Sequence, residues 1–244
     1  MLRLKLHLPQ PLAAQSYTHQ DLIHDAIIHA LDQAGVNSED MVGRYAKPWT
    51  FAALGWHQAH QGFVRSLIIS SADPNIARAL TRLQPEQIVQ RRWNGETINF
   101  SGAIKSLEFD PLFPKQTRLA CLLLSPLVLQ DYTQTGSKKY WHKDLRSLPL
   151  SEIISRKLSK QAGRDIQLQV TPDALYLRAK PEHSVLVNLK QHQNGSKSFV
   201  IGMQAPLILE GAEDDLRFAW YAGIGEKTRN GFGCLGLAEQ GVHS

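Results

Sequence analysis

The stretch Gly223-Ile224-Gly225-Glu226-Lys227-Thr228-Arg229-Asn230-Gly231-Phe232-Gly233 sets four glycines around a short polar insert. Glycine has no Cβ, so it reaches positive φ and lets another backbone come close. Successive N–H groups in such a loop form a concavity for anionic oxygens, and Lys227 and Arg229 add positive charge. The chemistry these residues suit is the holding of a phosphate chain. A nucleotide P-loop sets glycine directly before its lysine, and here Glu226 stands between them. A dinucleotide fingerprint wants a third glycine where Thr228 stands, and it runs strand, loop, helix. This chain runs the other way. Asp214 to Tyr221 reads as a helix before the loop, and Phe232 to Ala238 as a strand after it. A small-molecule phosphate enzyme using this loop would have the wrong context, and no nucleotide cofactor is expected.

Histidines are the other chemistry-bearing group. His24 and His29 ride on one expected helix, with Asp25 a turn before His29, where its carboxylate could hold the imidazole tautomer. Two readings stand: surface histidines, or a buttressed base. His57 and His60 lie three apart in a polar turn with no cysteine or carboxylate beside them, so a hairpin tip fits better than zinc. No metal site and no cofactor is expected.

Several elements must position these groups. Leu2, Leu4, Leu6 and Leu8 alternate with polar residues as in a half-buried strand, ended by Pro9 and Pro11. Thr18, with Asp21 in capping-box position, opens a helix whose apolar face runs from Leu22 to Ala34, and Gly35 stops it. Strands are expected near Phe51 and over Phe63 to Ser70, a helix from Asn75 to Leu83 entered through Asp73-Pro74, and a strand over Ile98 to Leu107. That order is a ferredoxin-like βαββαβ unit. Pro111 and Pro114 mark a boundary, which divides the chain into domains 1–112 and 113–244. The second half should open with a strand from Thr117 to Leu129. A helix from Ser151 to Ala162 and strands over 165–170, 174–179, 184–189 and 199–209 follow.

Charge gathers in this half. Lys138, Lys139, His142, Lys143 and Arg146 interleave with Tyr140 and Trp141, and Arg156, Lys157, Lys160 and Arg164 follow on and just beyond the helix. Arg156, Lys160 and Arg164 lie one turn apart. The stripe is either a solvated face or an RNA face, with cations for phosphates and rings for bases. A second small cluster is Arg91-Arg92-Trp93. The formal charge of +5 favours a polyanionic partner. Hydrophobic content of 43% in 244 residues is that of an ordinary globule, and no apolar run is long enough to span a membrane. The start of the chain alternates, unlike a signal peptide, and two widely separated cysteines fit a reducing cytosol. A cytoplasmic protein without membrane partners is expected.

Helix, Gly-x-Gly, polar insert, Gly-Phe-Gly and strand, in that order near the C-terminus, resemble the signature of the repeat-associated RNA-binding (RAMP) proteins of CRISPR systems. Gly223, Gly225, Gly231, Phe232 and Gly233 carry the match. Within that superfamily the chain most resembles the endoribonucleases of the sixth Cas family, which cut CRISPR repeat transcripts. Three other stretches agree: Ile28 to Gly35, Arg44 to Leu54, and the Ser-Pro strand within Leu122 to Leu129. The resemblance implies an α+β fold of two ferredoxin-like (RRM-like) units in tandem with a C-terminal glycine-rich loop. It implies His29 as general base, Tyr45 and Lys47 as assisting groups, and the basic helix against the RNA stem. The reaction implied is metal-independent: the 2′-OH attacks the adjacent phosphorus and leaves a 2′,3′-cyclic phosphate and a 5′-OH. It also implies a protein that stays on its crRNA, among subunits of an effector complex. The alternative is a non-catalytic crRNA-binding subunit with the same loop.

Overall fold

The first strand carries a residue that binary patterning would leave in water. Arg3 alternates with Leu2 and Leu4, yet only 1% of its surface is exposed. In this computed structural model it is covered by the second half of the chain. The structure describes residues 1–14, 18–43, 46–57, 62–108, 110–111, 116–134, 139–191 and 196–238. The expected domain boundary, at 112 and 113, and Tyr45, Lys138 and His60 lie outside the described residues.

The first unit runs β1 (Leu2–Leu12), α1 (Gln20–Gln33), α2 (Ser38–Met41), β2 (Trp49–His57), β3 (Gly62–Ser71), α3 (Pro74–Arg82), β4 (Val89–Arg91), β5 (Thr97–Asn99) and β6 (Ile104–Leu107). The second runs β7 (Arg118–Leu123), β8 (Gln130–Asp131), β9 (Tyr140–Trp141), α4 (Leu150–Ala162), β10 (Leu168–Pro172), α5 (Ala174–Ala179), β11 (Ser184–Gln191), β12 (Lys197–Met203), β13 (Leu207–Gly211), α6 (Glu213–Ala222) and β14 (Leu235–Leu237). A 3₁₀ turn, Thr228–Asn230, lies inside the glycine loop.

Two four-stranded antiparallel sheets result, ordered β2-β3-β1-β6 and β10-β13-β7-β14. With each sheet's strands numbered in chain order, both read 2-3-1-4. This is the ferredoxin-like arrangement twice over, an α+β fold of two such units in tandem. Each unit has its own core. Leu4, Leu6, Ile23, Ile27, Leu31 and Phe51 centre the first, and Cys121, Ile154, Leu158, Leu209 and Trp220 the second.

The seam between the units is polar at its bonds and apolar at its bodies. The Arg3 guanidinium lies 3.8 Å from the Trp220 ring centroid and donates to the carbonyls of Trp220 and Leu235, each at 2.7 Å. Ser70 donates to the Tyr221 carbonyl and Thr50 to that of Phe232, each at 3.0 Å. Buried polar groups must find partners. Both terminal nitrogens of Arg3 and the hydroxyls of Ser70 and Thr50 find the carbonyls of α6, the glycine loop and β14, which fixes these elements against the first sheet.

Several expectations change: β1 runs on through Pro9 and Pro11 to Leu12, and the strand expected over Thr117 to Leu129 ends at Leu123. Residues 174–179 form the helix α5, not a strand, because Asp173 accepts from the amides of Leu175 and Tyr176 and caps it. The stretch 98–107 breaks into β5 and β6, with Gly102 at φ +80 between them, and β5 pairs with β4 as an inserted hairpin. The stretch 199–209 breaks at Pro206 into β12 and β13. Hairpin β11–β12 is a second insertion.

Candidate nucleic-acid interface

The glycine loop is gripped from both sides. Gln20, at the start of α1, donates from Nε2 to the carbonyls of Asn230 (2.7 Å) and Gly231 (2.8 Å). Gly231 adopts φ +78, and a Cβ there would strike the Gln20 amide and the Phe51 ring, 2.5 Å from its Cζ. Gly233, at φ +62, is closed against the carbonyl group of Ile224. Gly223 and Gly225 pack as closely on Thr50 and Val128, and Phe232 is fully buried. The loop amides of Ile224, Glu226, Asn230, Gly231, Phe232 and Gly233 donate to carbonyls of the protein itself. The glycines let the loop lie flat against α1, β2 and the segment before β8.

What the loop presents outward is charge. Arg229 donates to the Gly43 carbonyl at 2.7 Å and so touches the segment between α2 and β2. Lys47, in that same segment, lies 3.9 Å from Asp40 and is 44% exposed. Lys227 sits at φ +56 with its ammonium 5.7 Å from the Trp141 ring centroid. Burial, and then the charge of Lys139, lower the Lys227 pKa against the opposing pull of Glu226. Burial also lowers that of Arg229.

The two helical histidines separate. Asp25 does not reach His29. It takes His24 instead, Nδ1 to Oδ1 at 3.0 Å, while His29 Nε2 meets the Gln33 amide at 2.9 Å on exposed surface. Five residues along a helix turn a side chain through about 140°, so the two occupy opposite edges of the buried face. His24 is on the Gln20 edge. Its ring stacks on Trp49, centroids 6.1 Å apart, and it lines one cavity with Gln20 and Asn230. The N-cap of α1 is His19, one residue after the expected Thr18 and without a side-chain cap, and Asp21 bonds Arg92.

The basic helix α4 divides its charges. Ser151, Ser155 and Ser159 bond the backbone of residues 166–170 along the open side of β10, an i, i+4, i+8 pattern legible in the sequence. That docking leaves Arg156 and Lys160 on open surface, with Glu152 4.0 Å from Arg156. Lys157 turns inward to Glu226 of the glycine loop at 2.6 Å, where Tyr132 also donates at 3.0 Å. Arg164 folds back onto Asp215 of α6. Lys139 and Lys143 are exposed beside Tyr140 and Trp141. Of the expected stripe, Arg156 and Lys160 stand as exposed cations, and Arg164 is tied to α6, as Lys157 is to the glycine loop. Among the described residues, no three His, Cys, Asp or Glu side chains gather as a metal would need, and no helix is long and apolar enough to cross a membrane.

Tandem ferredoxin-like units, with a glycine-rich loop wedged between the last helix and last strand and cations around it, define a RAMP-type protein. The family model "CRISPR associated protein Cas6, C-terminal" matches residues 109–237, more than half of the 244. The chain belongs to that family, whose members process CRISPR repeat RNA. No curated protein matches it in sequence. Solved structures match in fold. A Cas6-related protein from Pyrococcus furiosus superposes with a TM-score of 0.71 at 15% identity, covering 98% of this chain and 99% of that one. A RAMP protein described as binding different RNA substrates gives 0.68 at 16% identity, with 97% and 99% covered. Another CRISPR associated protein Cas6 gives 0.65 at 17%, again with 97% and 99% covered.

Proposed function

We propose that the chain cuts CRISPR repeat RNA without a metal and stays on the crRNA it makes, with His24 in the role that the family resemblance implies for His29. The observation that carries the reading is the pairing of His24 with Asp25 beside the glycine loop. With its Nδ1 proton held by a carboxylate, an imidazole keeps Nε2 as the free acceptor. Nε2 takes the proton of the 2′-OH. The 2′-oxygen then bonds to the adjacent phosphorus, and the bond to the 5′-oxygen breaks in line. A 2′,3′-cyclic phosphate and, once that oxygen is protonated, a 5′-OH remain.

Cations offset the charge that develops on the phosphorane. Arg229 and Lys47 converge on the segment from Gly43 to Lys47 and suit that task. Tyr45 belongs to the same segment of sequence. Arg156, Lys160, Lys139 and Lys143 would hold the RNA stem by its phosphates, with Lys227 nearer the loop. The glycines, Phe232, Lys157 and Arg164 would act by holding these elements in place.

The test is incubation of the protein with its own repeat RNA in EDTA, with mapping of product ends. One defined cut ending in a cyclic phosphate supports the reading. Tight binding without any cut leaves a non-catalytic crRNA-binding subunit.

A further inference from the structure

A cavity of about 420 Å³ opens where the β4–β5 hairpin faces the β11–β12 hairpin across α1. That volume falls within the range of small-ligand pockets, about 300–1,000 Å³. It has room for a nucleotide and none for a duplex. Its walls come from both units: Arg91 and Trp93 from the first hairpin, Lys190 from β11, His24 and Gln20 from α1, and Asn230 from the glycine loop.

The hairpin is fixed in place. Arg92, almost fully buried, is bonded to Asp21 of α1 and to Glu96. The residue after it is thereby held at the cavity's edge. That residue, Trp93, is 58% exposed. An indole this open contributes little to the core, and it offers a flat apolar face to solvent. Arg91 and Lys190, which line the same cavity, are exposed, and among the described residues neither has a carboxylate partner. An open aromatic face and two such cations around one cavity are the chemistry of single-stranded nucleic acid binding: the base stacks and the phosphates pair.

We infer that this cavity takes one unstacked base of the repeat RNA beside the bond that is cut, with Trp93 as its stacking platform and Arg91 and Lys190 on the neighbouring phosphates. The inference rests on the cleavage reading above, because His24 borders the same cavity. Drawing that base out of the RNA stack would turn the adjoining 2′-OH toward the imidazole, so Trp93 is a positioning residue.

The experiment uses the full chain and repeat RNAs with a 2′-deoxynucleotide at the mapped cut, each carrying one 2-aminopurine near it. Binding should quench the fluorescence at one position. Trp93→Ala should abolish that quench and weaken affinity about 5- to 150-fold, and Trp93→Phe should restore both in large part. Arg91→Ala with Lys190→Ala should weaken binding and flatten its salt dependence while the quench persists at saturation. If the wild-type protein binds and cuts, yet no position responds to Trp93→Ala, the base pocket is overturned and the nuclease reading stands. If the wild-type protein binds no repeat RNA, both fall.

Discussion

Gln20 and Gly231 meet across the seam: the Gln20 amide donates to the Gly231 carbonyl at 2.8 Å and occupies the space that a Cβ on Gly231 would need. The first helix and the last loop are therefore locked as one piece, although 211 residues separate them. Whatever lies in the cavity beside them touches both units at once.

Gly231→Ala should be costly. The new methyl enters the Gln20 amide and the Phe51 ring, at a φ of +78. Left-handed backbone and overpacking together suggest a loss of about 2–4 kcal/mol. Gly35→Ala is the control, since Gly35 has φ +87 with nothing within 4 Å; there the cost is the backbone alone, about 1 kcal/mol. Urea unfolding of both variants measures the difference. Equal losses would mean that the loop does not pack as described.

His24→Ala should cut the cleavage rate by about 10²- to 10⁴-fold, the usual worth of a positioned base, and leave repeat RNA affinity nearly unchanged. His29→Ala should cleave almost as the wild type does, because its ring bonds Gln33 on the far edge of α1. Single-turnover rates at saturating protein separate the two. An inactive His29 variant beside an active His24 variant would return the role to the residue that the sequence resemblance singled out.

The choice between these histidines shows how far the sequence could be read. Periodicity located α1 and its apolar face, and Gly35 marked the end of α1. But His24 and His29 both border that face, and only tertiary packing says which edge meets the loop. The glycine motif was legible as a type. What its missing Cβ atoms make room for was not, since Gln20, Phe51 and Thr50 lie far away in sequence. Helix α5 was missed because Leu175 and Leu177 alternate with Tyr176 and Arg178, and six residues are too few to tell period two from 3.6. Asp173 was the available signal.

The two cysteines should be inert in the native protein. Burial pushes the Cys121 thiol from 9.0 up to about 12 and the Cys234 thiol up to about 11, so neither supplies thiolate at neutral pH. A thiol reagent should label neither until denaturant is added, and then both. The same shifts give a sign for alkaline stability. Above pH 9 the unfolded thiols lose protons that the folded ones keep, so the unfolded state binds fewer protons and stability falls as pH rises toward 11 to 12. Unfolding midpoints that rise between pH 9 and 11 would contradict this burial.

Arg156→Ala with Lys160→Ala should weaken binding of the repeat stem and flatten its salt dependence, by about one unit of log K against log[salt] for each phosphate the protein no longer neutralises. Both side chains stand on open surface, so the fold should be spared. Arg164→Ala makes the contrast. Its partner Asp215 is only 11% exposed at the side chain and also accepts from the Gln167 amide at 3.0 Å. Removing the guanidinium should cost about 1 kcal/mol of stability, allowing for solvent around Arg164, and leave the salt slope alone. A double variant with an unaltered slope would turn the outer face of α4 away from RNA, and a flattened slope for Arg164→Ala would show that its tie to α6 opens when RNA binds.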